Sequence, residues 1–228
     1  MREITILTTL LLTALLAGSC AGSVRPGINQ RFLSPDLDVD WALGVFESES
    51  REIYVERQRI VEQLGLSPGS AVADVGTGTG LFLGPMARAV GPRGKVYAVD
   101  ISGKLVEYVR QRVREAGLRQ VEVLLSTPRS AELPPGSVEL VFACDTYHHF
   151  EYPGAMLASL HRALKPGGRL VIVDFDRVPG VSRDWVLEHV RAGKEEVTRE
   201  VEAAGFVLEE EVPVEGLREN YVLRFRKN

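Results

Sequence analysis

Cysteine is almost missing from this 228-residue chain, which has only Cys20 and Cys144. Two cysteines cannot build a disulfide framework or a cysteine-rich zinc site. There is no long lysine and arginine run, and Asp plus Glu (31) outnumber Lys plus Arg (27), giving a formal charge of −4. That balance argues against a general nucleic-acid binder. No internal repeat is visible. What is present is ordinary for a folded domain: 45% hydrophobic and 25% charged residues, which excludes a disordered chain. The length suits one domain with a tail.

The first twenty residues stand apart. Residues 4–16 are apolar except for Thr5, Thr8, Thr9 and Thr13. The run matches a signal-peptide core and is short for a bilayer span of ~20 residues. Arg2 is offset by Glu3, so the basic start is weak. Leu16-Ala17-Gly18-Ser19-Cys20 resembles a bacterial lipoprotein cleavage box with Cys20 as the lipidated residue. Cleavage by an ordinary signal peptidase and an uncleaved anchor helix are the competing readings. The expectation is export, with membrane attachment through Cys20 or release into the periplasm, and a cytoplasmic protein if the segment is not processed. Residues 1–20 are therefore set aside as a signal, and 21–45, with Pro26, Gly27 and Pro35, read as a linker or irregular arm. The remaining 46–228 form the domain.

From Ser48 helices and strands alternate. A helix is predicted over 48–64, capped by Ser48 or Ser50 and stopped by Gly65. Strands are expected at 71–75, 95–99, 121–125, 138–143 and 169–175. Helices are expected at 81–90, 103–116, 154–164 and 184–204, the last interrupted at Gly193. Residues 206–212 and 221–225 lack a helix between them and read as an antiparallel closing pair. This order implies an α/β protein with a mostly parallel, doubly wound sheet covered on both faces. In such a sheet ligands sit beyond the carboxyl ends of the strands.

The first chemistry lies at one of those ends. Asp74-Val75-Gly76-Thr77-Gly78-Thr79-Gly80 links a strand to a helix. Glycines let the backbone turn sharply and approach a ligand. A dinucleotide fingerprint needs Gly where Leu81 stands, and a Walker loop needs Gly-Lys-Ser/Thr, which is absent. Asp100 ends the next strand, where a carboxylate can accept hydrogen bonds from two ribose hydroxyls. As a helix cap, Ser102 is better placed than Asp100. Loop and acid together suggest an adenosine-type ligand without a pyrophosphate.

These segments, with Leu164-Lys165-Pro166-Gly167-Gly168 before the fifth strand and Leu133–Val141 before the fourth, resemble the class I S-adenosylmethionine-dependent methyltransferases. The resemblance covers roughly residues 45–227 and implies a Rossmann-like sheet with S-adenosylmethionine as cofactor. It also implies that Gly76, Thr77, Gly78 and Gly80 line the donor, with Asp74 at its amino-acid end. Asp100 would hold the ribose and Ile101 pack on the adenine. The family often has Gly-Asp-Ala after the third strand. Here Ser126-Thr127-Pro128 stands instead, leaving Ser126 or Thr127 to meet the adenine. Cys144 and Asp145 would border the methionine end.

Next comes Tyr147-His148-His149-Phe150, holding half of the four histidines. His148 is the first choice for a proton acceptor, followed by His149, with Tyr147 facing the acceptor. One histidine of the pair could instead pack or cap the following helix. No metal is expected, since no matching Cys, His or Asp cluster is evident elsewhere. Glu47, Arg51 and Tyr54 are candidates for contact with substrate or donor. Trp41 and Trp185 are candidate pocket walls, although core packing is their commoner role. The expected function is methyl transfer to a small-molecule acceptor. A non-catalytic nucleoside-binding lipoprotein is the alternative, and a nucleotide-dependent oxidoreductase is disfavoured by Leu81. The amino-terminal reading has a direct check. In a bacterium, the protein made with its own start should lose nineteen or twenty residues, and mass spectrometry should find a lipid on Cys20. An intact Met1 on soluble protein contradicts this.

Overall fold

The computed structural model describes residues 22–228. The export and Cys20 lipidation expectations fall on residues 1–21 and lie outside the described residues. Among the described residues no helix is long and apolar enough to cross a membrane.

The elements, in chain order, are α1 (Gln30–Leu33), α2 (Val39–Phe46), α3 (Glu52–Val55), α4 (Arg57–Gln63), β1 (Ala71–Val75), α5 (Leu83–Val90), β2 (Lys95–Asp100), α6 (Gly103–Glu115), β3 (Val121–Leu125), β4 (Val138–Cys144), a 3-10 turn (Tyr147–His149), α7 (Pro153–Ala163), β5 (Leu164–Phe175), α8 (Asp184–His189), α9 (Lys194–Ala203), β6 (Phe206–Glu211) and β7 (Asn220–Lys227). The seven strands run in the order β3-β2-β1-β4-β5-β7-β6. Strands β1 to β5 pair in parallel, while β7 is antiparallel to both β5 and β6. The direction of the chain's progress across the sheet reverses between β1 and β4, which opens the crevice where such sheets bind ligands.

Side-chain alternation explains why both faces are covered. Ala73, Val141, Leu170 and Ile172 pack with Leu157 and Leu160 of α7 and Val201 of α9. Their strand neighbours Val72, Phe142, Val171 and Val173 face the other way, onto Ile60 of α4, Met86 of α5 and Val109 of α6. Strands buried on both faces have this near-continuous apolar character. The loops then emerge together at the carboxyl end.

Two local expectations change. Residues 48–64 form two short helices instead of one. Ser48 and Ser50 bond each other at 2.8 Å, and the helix begins only at Glu52. The Glu52 carboxylate accepts the backbone N–H groups of Arg218, Glu219 and Asn220 at 2.7, 2.8 and 2.9 Å, tying this turn to the start of β7. The segment read as a linker also carries structure. In α2, Ala42 packs with Leu37 and with Leu105 of α6, and Asp38 caps the helix. Val24 N–H donates to the carbonyl of Glu151 at 2.9 Å, so the arm crosses the carboxyl end of the sheet.

Phe142 is fully buried at the middle of the sheet, edge-on to Phe82 with centroids 4.9 Å apart. Phe142→Ala should cost about 3–5 kcal/mol and lower the melting temperature by several degrees. A melting curve unchanged from the parent contradicts this packing.

Candidate functional site

Four neighbouring parallel strands each bring an aspartate to the carboxyl end of the sheet: Asp74, Asp100, Asp145 and Asp174. Asp74, Asp100 and Asp174 are 1%, 6% and 1% exposed. All but Asp174 line one cavity of about 770 Å³ beneath α2 and the arm.

The loop after β1 folds back on β2. Gly76 and Thr77 donate their backbone N–H groups to the carbonyl of Val99 at 2.8 and 3.0 Å. Gly76 has φ +76°, and a Cβ there would sit 2.2 Å from Thr146. Both facts demand glycine. Asp74 accepts the Thr77 hydroxyl at 2.7 Å. Burial raises Asp74 to about 7, against the Thr77 bond that lowers it, with the nearby Asp100 charge adding to the rise. Asp100 accepts the Gly78 N–H at 2.8 Å on one oxygen and the Ser102 N–H at 2.8 Å on the other. Each oxygen keeps a lone pair for a further donor. Burial raises Asp100 to about 6, although these backbone bonds oppose the shift. Ser102 is indeed the cap of α6, accepting from Leu105 N–H at 3.4 Å.

Ile101, Ser126 and Thr127 line the same cavity. The Thr127 hydroxyl is turned into its own loop, accepting Arg129 N–H at 3.3 Å, which leaves Ser126 as the freer of the two. Gly80 does not line this cavity. It lies under α5, where a Cβ would press on Leu83 at 2.9 Å, so its role is helix packing. Cys144 lines the cavity, and burial holds its thiol well above the ordinary range.

Asp145 follows β4 in the left-handed region, at φ 47°, which Asp tolerates better than most residues. It pairs with the Arg51 guanidinium and accepts Asn220 Nδ2 at 2.6 Å. Burial raises it to about 6 against the pull of Arg51. Arg51 thus lines the cavity but is engaged by Asp145, and it works as a clamp on the segment over the pocket. Glu47 is a second clamp: it accepts the Thr79 hydroxyl at 2.7 Å and pairs with Arg112 of α6.

Two expected substrate residues are elsewhere. Tyr54 lines a separate cleft with Arg57, Arg88 and Arg112, and Arg57 stacks 4.3 Å over its ring. The short turn α3 points it away from the sheet crevice. Tyr147 is fully buried under the pocket, and its hydroxyl donates to Glu200 at 2.7 Å. Glu200 in turn takes both Arg191 nitrogens at 2.8 and 2.7 Å, and burial with this carboxylate raises the Tyr147 phenol. It is a core residue.

The histidines do face the cavity. His148 Nδ1 lies 2.7 Å from Asp174, whose other oxygen accepts the His148 backbone N–H at 3.0 Å. That leaves Nε2 as the free ring nitrogen. His149 stays neutral, lowered to about 2 by burial and then by His148 and His189. The ground for excluding a metal, that no further cluster exists, does not hold. α8 brings His189 beside the pair, with Nε2 3.2 Å from that of His149. Sequence reasoning missed Asp174, His189 and Asn220. Asp174 ends an apolar strand, so its position was a signal, while nothing local marks His189. Trp41 and Trp185 both line the cavity, with Phe32, Phe46, Phe150 and Phe175.

The Asp74 shift gives a stability test. Its folded value, about 7, lies above the ordinary 3.8. Its contribution is therefore complete below about pH 4 and is lost as pH rises through about 7. Asp74→Asn keeps an acceptor for Thr77 and removes the charge. In the free protein its stability relative to the parent should grow between pH 4 and 7 and level off above. A difference that does not change with pH contradicts the buried-carboxyl account.

Residues 73–172 match the family model of a methyltransferase domain. Nocamycin O-methyltransferase of Saccharothrix syringae is 30% identical over 155 residues, 68% of this chain and 55% of that protein. A ubiquinone/menaquinone biosynthesis C-methyltransferase of Cupriavidus necator is 29% identical over 118 residues, 52% of this chain and 48% of that protein. The chain thus spans about half the length of these curated relatives. The crystal structure of an S-adenosylmethionine-dependent methyltransferase from Aquifex aeolicus matches with TM-score 0.73 and 29% identity, covering 83% of this chain and 98% of that one. Residues 73–172 are therefore similar to a methyltransferase domain, and the sheet has the Rossmann-like α/β fold seen in S-adenosylmethionine-dependent methyltransferases.

Proposed function

We propose that this protein transfers a methyl group from S-adenosylmethionine to a small, largely apolar acceptor bearing an ionisable hydroxyl. The observation that carries the reading is that Asp100, the glycine loop and His148 face a single cavity. The residues fit the cofactor. Asp100 is a buried carboxylate with lone pairs left for a diol, and Gly76, Thr77 and Gly78 border the cavity beside it. Asp74 and Asp145 would hold the amino-acid end, and Ile101 and Ser126 would meet the base. When bound, S-adenosylmethionine supplies an electrophilic methyl with a good leaving group, so the protein chiefly aligns reactants and excludes water.

The aromatic side chains Phe32, Trp41, Phe150, Phe175 and Trp185 give the acceptor end its apolar walls. The relatives named above are called O- and C-methyltransferases, which supports a small acceptor. His148, with Nδ1 held by Asp174, keeps the tautomer that leaves Nε2 ready for the acceptor's proton. His149 flanks it. Export with a lipid on Cys20 is part of the same proposal, supported by the apolar run at residues 4–16 and the small residues before Cys20.

Calorimetry with S-adenosylmethionine, its demethylated product and NAD is the test, and the first two should bind while NAD does not. Asp100→Ala should lose roughly 1.5–3 kcal/mol of donor affinity for each hydroxyl bond removed. His148→Ala should keep donor affinity and slow methylation about 10²–10⁴-fold. Donor affinity unchanged in a folded Asp100→Ala protein contradicts the assignment.

A further inference from the structure

We propose that His148, His149 and His189 together bind one zinc-class divalent cation, with an open position facing the acceptor end of the pocket. One candidate ligand atom from each ring lies within 4.8 Å of the others. The rings come from two elements far apart in sequence, the turn after β4 and α8. Nε2 of His149 and Nε2 of His189 are 3.2 Å apart. Two zinc–nitrogen bonds of ~2.0–2.1 Å at a tetrahedral angle place their nitrogens about 3.3 Å apart. This pair already spans one edge of such a site.

The third ring is held in the manner of a metal-binding histidine. Asp174 takes Nδ1 of His148 at 2.7 Å, which fixes the tautomer and leaves Nε2 as a lone-pair donor. Asp174 also accepts the backbone N–H groups of His148 and Phe175 at 3.0 and 2.8 Å, so it cannot swing away.

His149 supplies an independent observation. Its Nδ1 is buried with no partner among the described residues, and its Nε2 meets only another imidazole. Among the described residues no carboxylate or carbonyl sets its tautomer, and buried polar atoms left this way are uncommon. A bound cation gives the ring a partner. The backbone around it is fixed from the arm: Asn29 Nδ2 donates to the His149 carbonyl at 3.0 Å, and the Arg25 guanidinium donates to the carbonyls of His189 and Glu188. Phe32 packs edge-on against the His149 ring, with centroids 5.3 Å apart.

Three imidazole nitrogens suit zinc, cobalt, nickel, copper or ferrous iron, and not magnesium or calcium. Three protein ligands with an open position make a catalytic type of site. Its place deepens the methyl-transfer reading and rests on it for the identity of the fourth ligand. With the cation bound, the Nε2 lone pair of His148 is taken up as a ligand and no longer accepts the proton; an acceptor hydroxyl oxygen on the cation becomes more acidic, and its O–H bond breaks with the proton passing to water. The oxygen lone pair then forms the bond to the methyl carbon as the carbon–sulfur bond breaks. The products are a methylated oxygen and a neutral thioether.

The test is a titration of untagged, metal-free full-length protein with Co²⁺ alone, followed by visible absorption and calorimetry. One equivalent should bind with a tetrahedral-type spectrum and be displaced by Zn²⁺. His189→Ala should abolish stoichiometric binding, and Asp174→Asn should weaken it about 10–100-fold. His161→Ala, which removes the histidine packed on Phe206 outside the pocket, should bind as the parent does. Affinity for S-adenosylmethionine, measured on the same samples, reports a folded pocket, and His189→Ala should retain it. Absence of stoichiometric Co²⁺ binding, or equal binding by the parent and His189→Ala, overturns the site. Cobalt binding in a parent that does not bind S-adenosylmethionine would sink the methyl-transfer reading and leave the cation site standing.

Discussion

Three buried carboxylates and a fourth, Asp145, nearly so, side by side at one end of a parallel sheet, are the constraint that organises this molecule. A buried charge without partners is very unfavourable, so each aspartate needs its own donors. Thr77 serves Asp74, and the backbone of Gly78 and Ser102 serves Asp100. Arg51 and Asn220 serve Asp145, and His148 serves Asp174. Each pairing also fixes a piece of the pocket: the glycine loop, the entry to α6, the segment above the crevice and the histidine turn. Folding and site construction are therefore the same problem here. The raised values of Asp74, Asp100 and Asp145 are the physical trace of that burial.

Much of the fold was legible because it rests on local periodicity. The apolar runs at 71–75, 121–125 and 138–143 became β1, β3 and most of β4, and Ser102 capped its helix as its position suggested. The antiparallel ending was legible from the missing crossover between β6 and β7. The finer arrangement, in which β7 slots between β5 and β6, was not, because strand order is a tertiary property. The helix over 48–64 failed for a similar reason. Long-range bonds from Glu52 to β7 and from Arg51 to Asp145 hold its first turn separately from α4.

The side of the cavity built from Asp74, the glycine loop and Asp100 was readable because its residues belong to contiguous strand–loop segments. The side built from the histidines was not. Tyr147 sits beside two pocket histidines in sequence, yet the tight turn sends its ring into the core and its hydroxyl to Glu200. Conversely, His189 is forty residues from its ring partner His149 and is brought there by α8. The arm at 22–46 has a loop-like composition but contributes Phe32 and Trp41 to the cavity wall. Its value lies in contacts with Leu105, Glu151 and His149 that no local pattern announces.

The account stands on the claim that the aspartate rim positions donor and acceptor in one crevice. The most direct measurement is a crystal structure of the protein with the demethylated donor product bound. The account predicts the ribose hydroxyls on Asp100, the base beside Ile101 and Ser126, and the sulfur pointing toward the Asp145 and His148 end. A ligand seated in the cleft beside Tyr54, or a ribose that leaves Asp100 untouched, would contradict it.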